Sequence, residues 1–135
     1  FRRHENRTYK VIISRKTVKM LDSILLKNLS FDAQAGVIGH ELSHVTDMKR
    51  MGFWGFMKHA FRYTFSRSYG DRFEFGTDRI CIEHGLGVYL LAWSREVRRK
   101  LHKKQFFQEK STDDMPERYM NPETILKEME KIKAL

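Results

Sequence analysis

The chain holds one cysteine, two prolines and eight glycines in 135 residues. A single cysteine excludes an internal disulfide framework, so the fold must hold by packing, helped by a metal if one is bound. No apolar run approaches the roughly 20 residues of a membrane-spanning helix, and no signal-peptide pattern is visible. Internal repeats and low-complexity tracts are also missing. Acidic residues are scarce relative to basic ones, 17 Asp+Glu against 26 Lys+Arg, which leaves a net charge of +9. That excess attracts anionic lipid surfaces, nucleic acid and acidic partners in general, and names no function by itself. What is present is a globular balance of 41% apolar and 32% charged residues. The length fits one domain over residues 1–135. The chain opens at Phe1 rather than at a methionine, so we expect a fragment of a longer, membrane-associated protein.

Along the chain, "RTYKVIISRK" puts Val11, Ile12 and Ile13 between basic flanks, the pattern of a strand. "TVKMLDSILLKN" fits a helical face through Val18, Leu21, Leu25 and Leu29, while "SILL" alone also fits a strand. Ser30 is placed as an N-cap with Asp32 in the first turn, opening a helix over about 31–50 with Gly52 as its stop. Val37 or Ile38, Leu42 and Val45 form its expected buried stripe. A second helix over 53–69 carries Phe53, Phe56, Met57, Phe61 and Phe65 at three- and four-residue spacing. A third is expected to open at Gly70-Asp71. A fourth buries Leu86, Leu90, Trp93, Val97 and Leu101 and ends in a basic cluster. "STDDMPERYM" reads as a polar loop, and Asn121-Pro122 as the cap and first position of a last helix. The expected class is α+β, mostly helical with a short N-terminal β-sheet.

The chemistry concentrates in "GHELSH", residues 39–44. On a helix, i and i+4 lie about 40° apart around the axis and one turn apart along it. His40 and His44 therefore share a face and can chelate one ion. Glu41, about 100° further round, sits beside the pair, where a general base for a metal-activated water is wanted. A catalytic zinc site takes three protein ligands and keeps one position open. Thirty-odd residues on, "RFEFGTD" supplies Glu74, with Asp78 at i+4 on the same face. The second carboxylate suits a hydrogen bond from a ligand imidazole's free nitrogen.

"LSFDAQAGVIGHELSHV" followed by "FEFGTDRICIEHG" resembles the gluzincin metallopeptidases grouped with HtpX heat-shock proteases and CAAX-prenyl endopeptidases. The resemblance runs from about Tyr9 to the region of Leu91. It implies a small zincin-like catalytic domain that cleaves polypeptides with Zn2+. It also implies His40, His44 and Glu74 as zinc ligands, Glu41 as catalytic base, and Asp78 behind the ligands. Thr77 replaces the family's usual small residue, and Asn121 stands where the family has a histidine before proline. Oxyanion or substrate contact falls to His84, Tyr69 or Arg72, among which the sequence does not choose. The substrate backbone is expected along the "YKVIIS" strand.

The segment 53–69 has two readings: an interfacial helix with contact to a membrane surface, or a helix packed on the core, which we favour. Cys81 is expected as a small buried hydrophobe. The alternatives to a working peptidase are a latent zincin, blocked by a segment such as 53–69, and a non-enzymatic basic module for membrane or nucleic acid. No recognition motif supports nucleic acid.

Overall fold

The computed structural model describes residues 7–19, 21–102 and 118–134. Two 3₁₀ turns, Asp22–Ile24 and Leu26–Asn28, lead into helix α1 (Phe31–Arg50). Helices α2 (Phe53–Phe65), α3 (Arg67–Cys81), α4 (Gly87–His102) and α5 (Pro122–Lys133) follow, with a π-helical turn, Ile82–Leu86, joining α3 to α4. Inside that turn Gly85 takes φ 81°, the left-handed backbone that favours glycine, and there the axis changes direction. α1 lies against α4 and α3, α5 packs on α4, and α2 rests on α3.

The expected α+β class is overturned, because the described residues contain no strand and no sheet. "YKVIIS" belongs to no helix or strand, and Ile12 and Ile13 are 87% and 55% exposed. β-propensity alone does not make a strand: it needs a partner ladder, and the described residues offer none. The ambiguous "SILL" segment resolves into the two 3₁₀ turns. The expected polar loop falls at 111–117 largely outside the described residues, as do Lys103 and Lys104 of the basic cluster.

α1 has the expected bounds, and the Ser30 hydroxyl accepts from Ala33 N–H. Its buried face differs from expectation: Ala33, Gly36, Gly39, His40 and Ser43 turn inward, while Ile38 and Leu42 are 40% and 53% exposed. The cause is close approach by neighbouring backbone at Gly36 and by a side chain at Gly39. A Cβ added at Gly36 would lie 2.3 Å from the Tyr89 carbonyl oxygen of α4, and one at Gly39 2.8 Å from Leu86 Cδ1. Small residues thus select the face that meets α4, and the larger aliphatics flank it. Gly52 does not stop α1 by a left-handed turn; it has φ −65° and serves as the N-cap of α2. α3 opens earlier than expected, at Arg67, because the Ser66 hydroxyl accepts from Tyr69 N–H. Asn121-Pro122 opens α5 as expected, with the Asn121 side chain accepting from Thr124 N–H.

The core gathers Cys81, Ile82, Leu90, Met120 and Ile125, joined by Trp93, Leu86 and Met129. Burial pushes the Cys81 thiol up to about 11, so it stays neutral and packs as an apolar group. α2 behaves differently from the favoured core-packing reading. Only His59 of this helix is buried, and Trp54, Phe61 and Phe65 are 81%, 65% and 74% exposed.

One long-range contact fixes how α4 meets the start of α1. The Glu96 carboxylate accepts from Ser30 N–H at 3.1 and 3.2 Å and from the Ser30 hydroxyl at 2.5 Å. Lys100 Nζ stands 2.7 Å from the same group. The bonds from Lys100 and Ser30 hold the Glu96 carboxyl down at about 2. A lowered carboxyl pKa contributes stability above the unfolded value of 4.5 and loses it as pH falls through the folded value. Glu96→Gln should therefore cost on the order of 2 kcal/mol at pH 7. In urea unfolding the gap between variant and wild type should close as pH falls from 4.5 to about 2. A gap of constant size would mean that shape rather than charge does the work at this contact.

Candidate metal centre

α1 and α3 cross so that the inward imidazoles of one face the buried carboxylates of the other. His40, Glu74 and Asp78 are 2%, 4% and 1% exposed, while His44 is partly open. The imidazoles lie 4.8 Å apart between centroids, edge to face. His40 Nε2 and His44 Nε2 each lie 3.2 Å from Glu74 Oε2. One ligand atom from each of the three residues falls within 4.8 Å of the others.

A tetrahedral zinc ion with ligands at about 2.1 Å requires its ligand atoms roughly 3.4 Å apart. Two of the three spacings here are 3.2 Å. The donor set of two imidazoles and one carboxylate is one that zinc accepts. The third spacing, between the two imidazoles, lies within 4.8 Å, so the three residues form a possible metal-binding group.

Each imidazole is held from behind. His40 Nδ1 donates to Asp78 Oδ1 at 2.8 Å, and Asp78 Oδ2 accepts from Met120 N–H at 2.7 Å. The Thr77 hydroxyl donates to the Phe73 carbonyl at 3.0 Å, so its oxygen is left to accept from His44 Nδ1–H at 3.1 Å. Thr77 thus does for His44 what Asp78 does for His40. Both bonds place the proton on Nδ1 and turn the Nε2 lone pair toward the shared centre. Phe73 stacks on His44 at 5.2 Å, and Trp93 and Tyr119 flank His40 at 5.5 and 5.6 Å.

Glu74 is oriented too. Tyr63 of α2 donates to Oε1 at 2.6 Å, leaving Oε2 for the histidines. Arg118 donates to the Tyr63 hydroxyl at 3.2 Å and to Asp71 at 3.4 Å, and stands 3.8 Å from Glu74 Oε1. Burial opposes charge on these groups, and the contacts outweigh it. Burial would lower His40, yet the bonds to Asp78 and Glu74 raise it to about 9. Burial would raise Glu74, yet bonds from His40, His44 and Tyr63 hold it far below the usual carboxylate range. Burial and the bond to Glu74 push Tyr63 up to about 12.

Glu41 is half-buried and lines a cleft of about 300 Å³ together with His44, Glu74, His59, Tyr63 and Phe73. Tyr9, Lys10 and Val11 line the same cleft, so this segment does border the centre although it is no strand. A larger apolar cavity of about 730 Å³ lies beyond Asp78, among Leu90, Trp93, Val97 and Leu101, and includes neither histidine.

The three expected oxyanion or substrate contacts do not line the cleft. Exposed His84 bonds the Ile80 carbonyl through Nδ1, the Tyr69 hydroxyl lies 3.0 Å from His59 Nδ1, and Arg72 is exposed on α3. Tyr63, Thr77 and Arg118 were missed in these roles. Thr77, one residue before Asp78, was legible as a departure from the family pattern; Tyr63 and Arg118 lie 11 and 44 positions from Glu74 and carried no local signal.

No family model, curated protein or solved structure matches this chain.

Proposed function

We propose that the chain is a zinc-dependent endopeptidase of the gluzincin type, with His40, His44 and Glu74 as ligands. The observation that carries the reading is the pair of 3.2 Å separations from both Nε2 atoms to one Glu74 oxygen, with each Nδ1 tied from behind. Zinc in that position supplies Lewis-acid polarisation of a water and of a substrate carbonyl. Glu41, on the cleft wall, accepts the proton of the attacking water and returns it to the leaving amine. Asp78 and Thr77 hold the imidazole tautomers, and Tyr63 keeps one carboxylate oxygen of Glu74 occupied. Tyr9, Lys10 and Val11 border the cleft where a polypeptide would lie.

The test is metal content together with cleavage. Purified chain should carry about one zinc and cleave an unfolded protein such as casein, and removal of the ion by a chelator should stop cleavage until zinc is restored. Zinc without cleavage would support the latent reading, in which the metal site is intact but blocked by a segment such as 53–69. Failure to take up zinc would leave the network structural and overturn the proposal.

A further inference from the structure

The two faces of α2 do different work. At 100° per residue, His59 and Tyr63 fall on one side, toward the candidate centre. Phe53, Met57, Phe61, Trp54 and Phe65 occupy an arc of about 120° on the opposite side. These five are 39%, 46%, 65%, 81% and 74% exposed. Lys58 and Arg62 continue the wheel at one edge of that arc, with the Arg62 guanidinium over the Tyr69 ring at 4.4 Å. The surrounding sequence is one-signed. Residues 48–70 contain no Asp or Glu but include Lys49, Arg50, Lys58, Arg62 and Arg67.

We propose that the outer face of α2 docks on an anionic lipid surface, with Phe53, Trp54, Met57, Phe61 and Phe65 in the acyl boundary and the flanking cations at the headgroups. A contiguous apolar arc with tryptophan, bordered by lysine and arginine, is what a helix lying in the interface plane presents. Charge discriminates among the occupants. A second copy of the chain would bring like-charged stretches together with no acid there to neutralise them. A single-stranded nucleic acid would use aromatic rings interleaved with cations, whereas here the arc holds no cation, its one polar member, Thr64, turns its hydroxyl back to the Ala60 carbonyl, and the cations lie off its edge. No helix among the described residues is long and apolar enough to cross a membrane, so the contact is a surface one. Through Tyr63, the docked helix would hold the cleft of the proposed peptidase close to the bilayer.

The experiment is co-sedimentation of the full chain with vesicles of equal phosphatidylglycerol and phosphatidylcholine, compared with phosphatidylcholine alone. Binding to the anionic vesicles should be at least about tenfold stronger and should weaken with salt. The double substitution Trp54→Ala with Phe61→Ala should lower it about tenfold or more while far-UV helicity stays unchanged, because both side chains are exposed. Lys58→Glu should lower binding to the anionic vesicles several-fold and leave the neutral ones unaffected. Zinc removal should leave vesicle binding intact, so failure of the peptidase reading and failure of this one are separable. The proposal is overturned by absence of binding to anionic vesicles or by binding that the double substitution leaves unchanged. It is equally overturned by a dimer, or a single-stranded DNA complex, that the double substitution abolishes in a chain that ignores vesicles.

Discussion

Glu41→Gln should keep its zinc and lose cleavage of casein by about 10³-fold. The reasoning is geometric. Glu41 is the neighbour of His40 in sequence but stands about 100° round the helix from it, on the wall of the cleft and outside the cluster of ligand atoms. Glutamine preserves size and hydrogen bonding on that wall and removes the ability to accept a proton at neutral pH. Metal content measures the ligands, and the cleavage rate measures the base, so the two readouts move independently. Retained zinc with wild-type cleavage would show that another group takes the proton, and loss of zinc would place Glu41 among the ligands. Unchanged helicity separates both from unfolding.

The parts of the centre that share a helix were legible in the sequence. His40 with His44, and Glu74 with Asp78, each follow from the i, i+4 rule, and the demand for a third ligand directs attention from the first pair to the second. The fold was legible at its caps, where Ser30 and Asn121 act locally. It was misread where geometry depends on distant chain. Val11, Ile12 and Ile13 satisfy strand propensity, but propensity is silent about whether a partner strand exists. Ile38 and Leu42 satisfy a hydrophobic stripe, whereas α1 turns Gly36 and Gly39 inward because Gly36 meets the Tyr89 backbone of α4 and Gly39 the Leu86 side chain of the π-helical turn, with no room for a Cβ at either. The apolar spacing of α2 reads equally as a core face or an interface, and only exposure distinguishes them. Tyr63 is hidden in that same aromatic stretch, since its role exists only once α2 rests on α3 and meets Glu74.

Glu74→Gln should abolish zinc uptake while the helices remain. Glu74 supplies the single oxygen that both Nε2 atoms face, and in a zinc site it is the anionic ligand that lowers the charge of the metal. The amide keeps the volume and an acceptor for Tyr63, so the packing of α2 on α3 should persist. In the wild type, zinc at about 100 times its dissociation constant should add about 2.7 kcal/mol to folding stability. For a domain of this size that is a rise in Tm on the order of 10 °C, and in Glu74→Gln the rise should vanish. Asp78→Asn gives the graded counterpart. It leaves all three ligands in place but weakens the hold on His40 Nδ1, so affinity should fall about 10- to 100-fold without disappearing. Metal titration followed by thermal melts orders the three proteins. If Glu74→Gln takes up zinc as the wild type does, the third ligand lies elsewhere and the assignment of α3 to the centre fails.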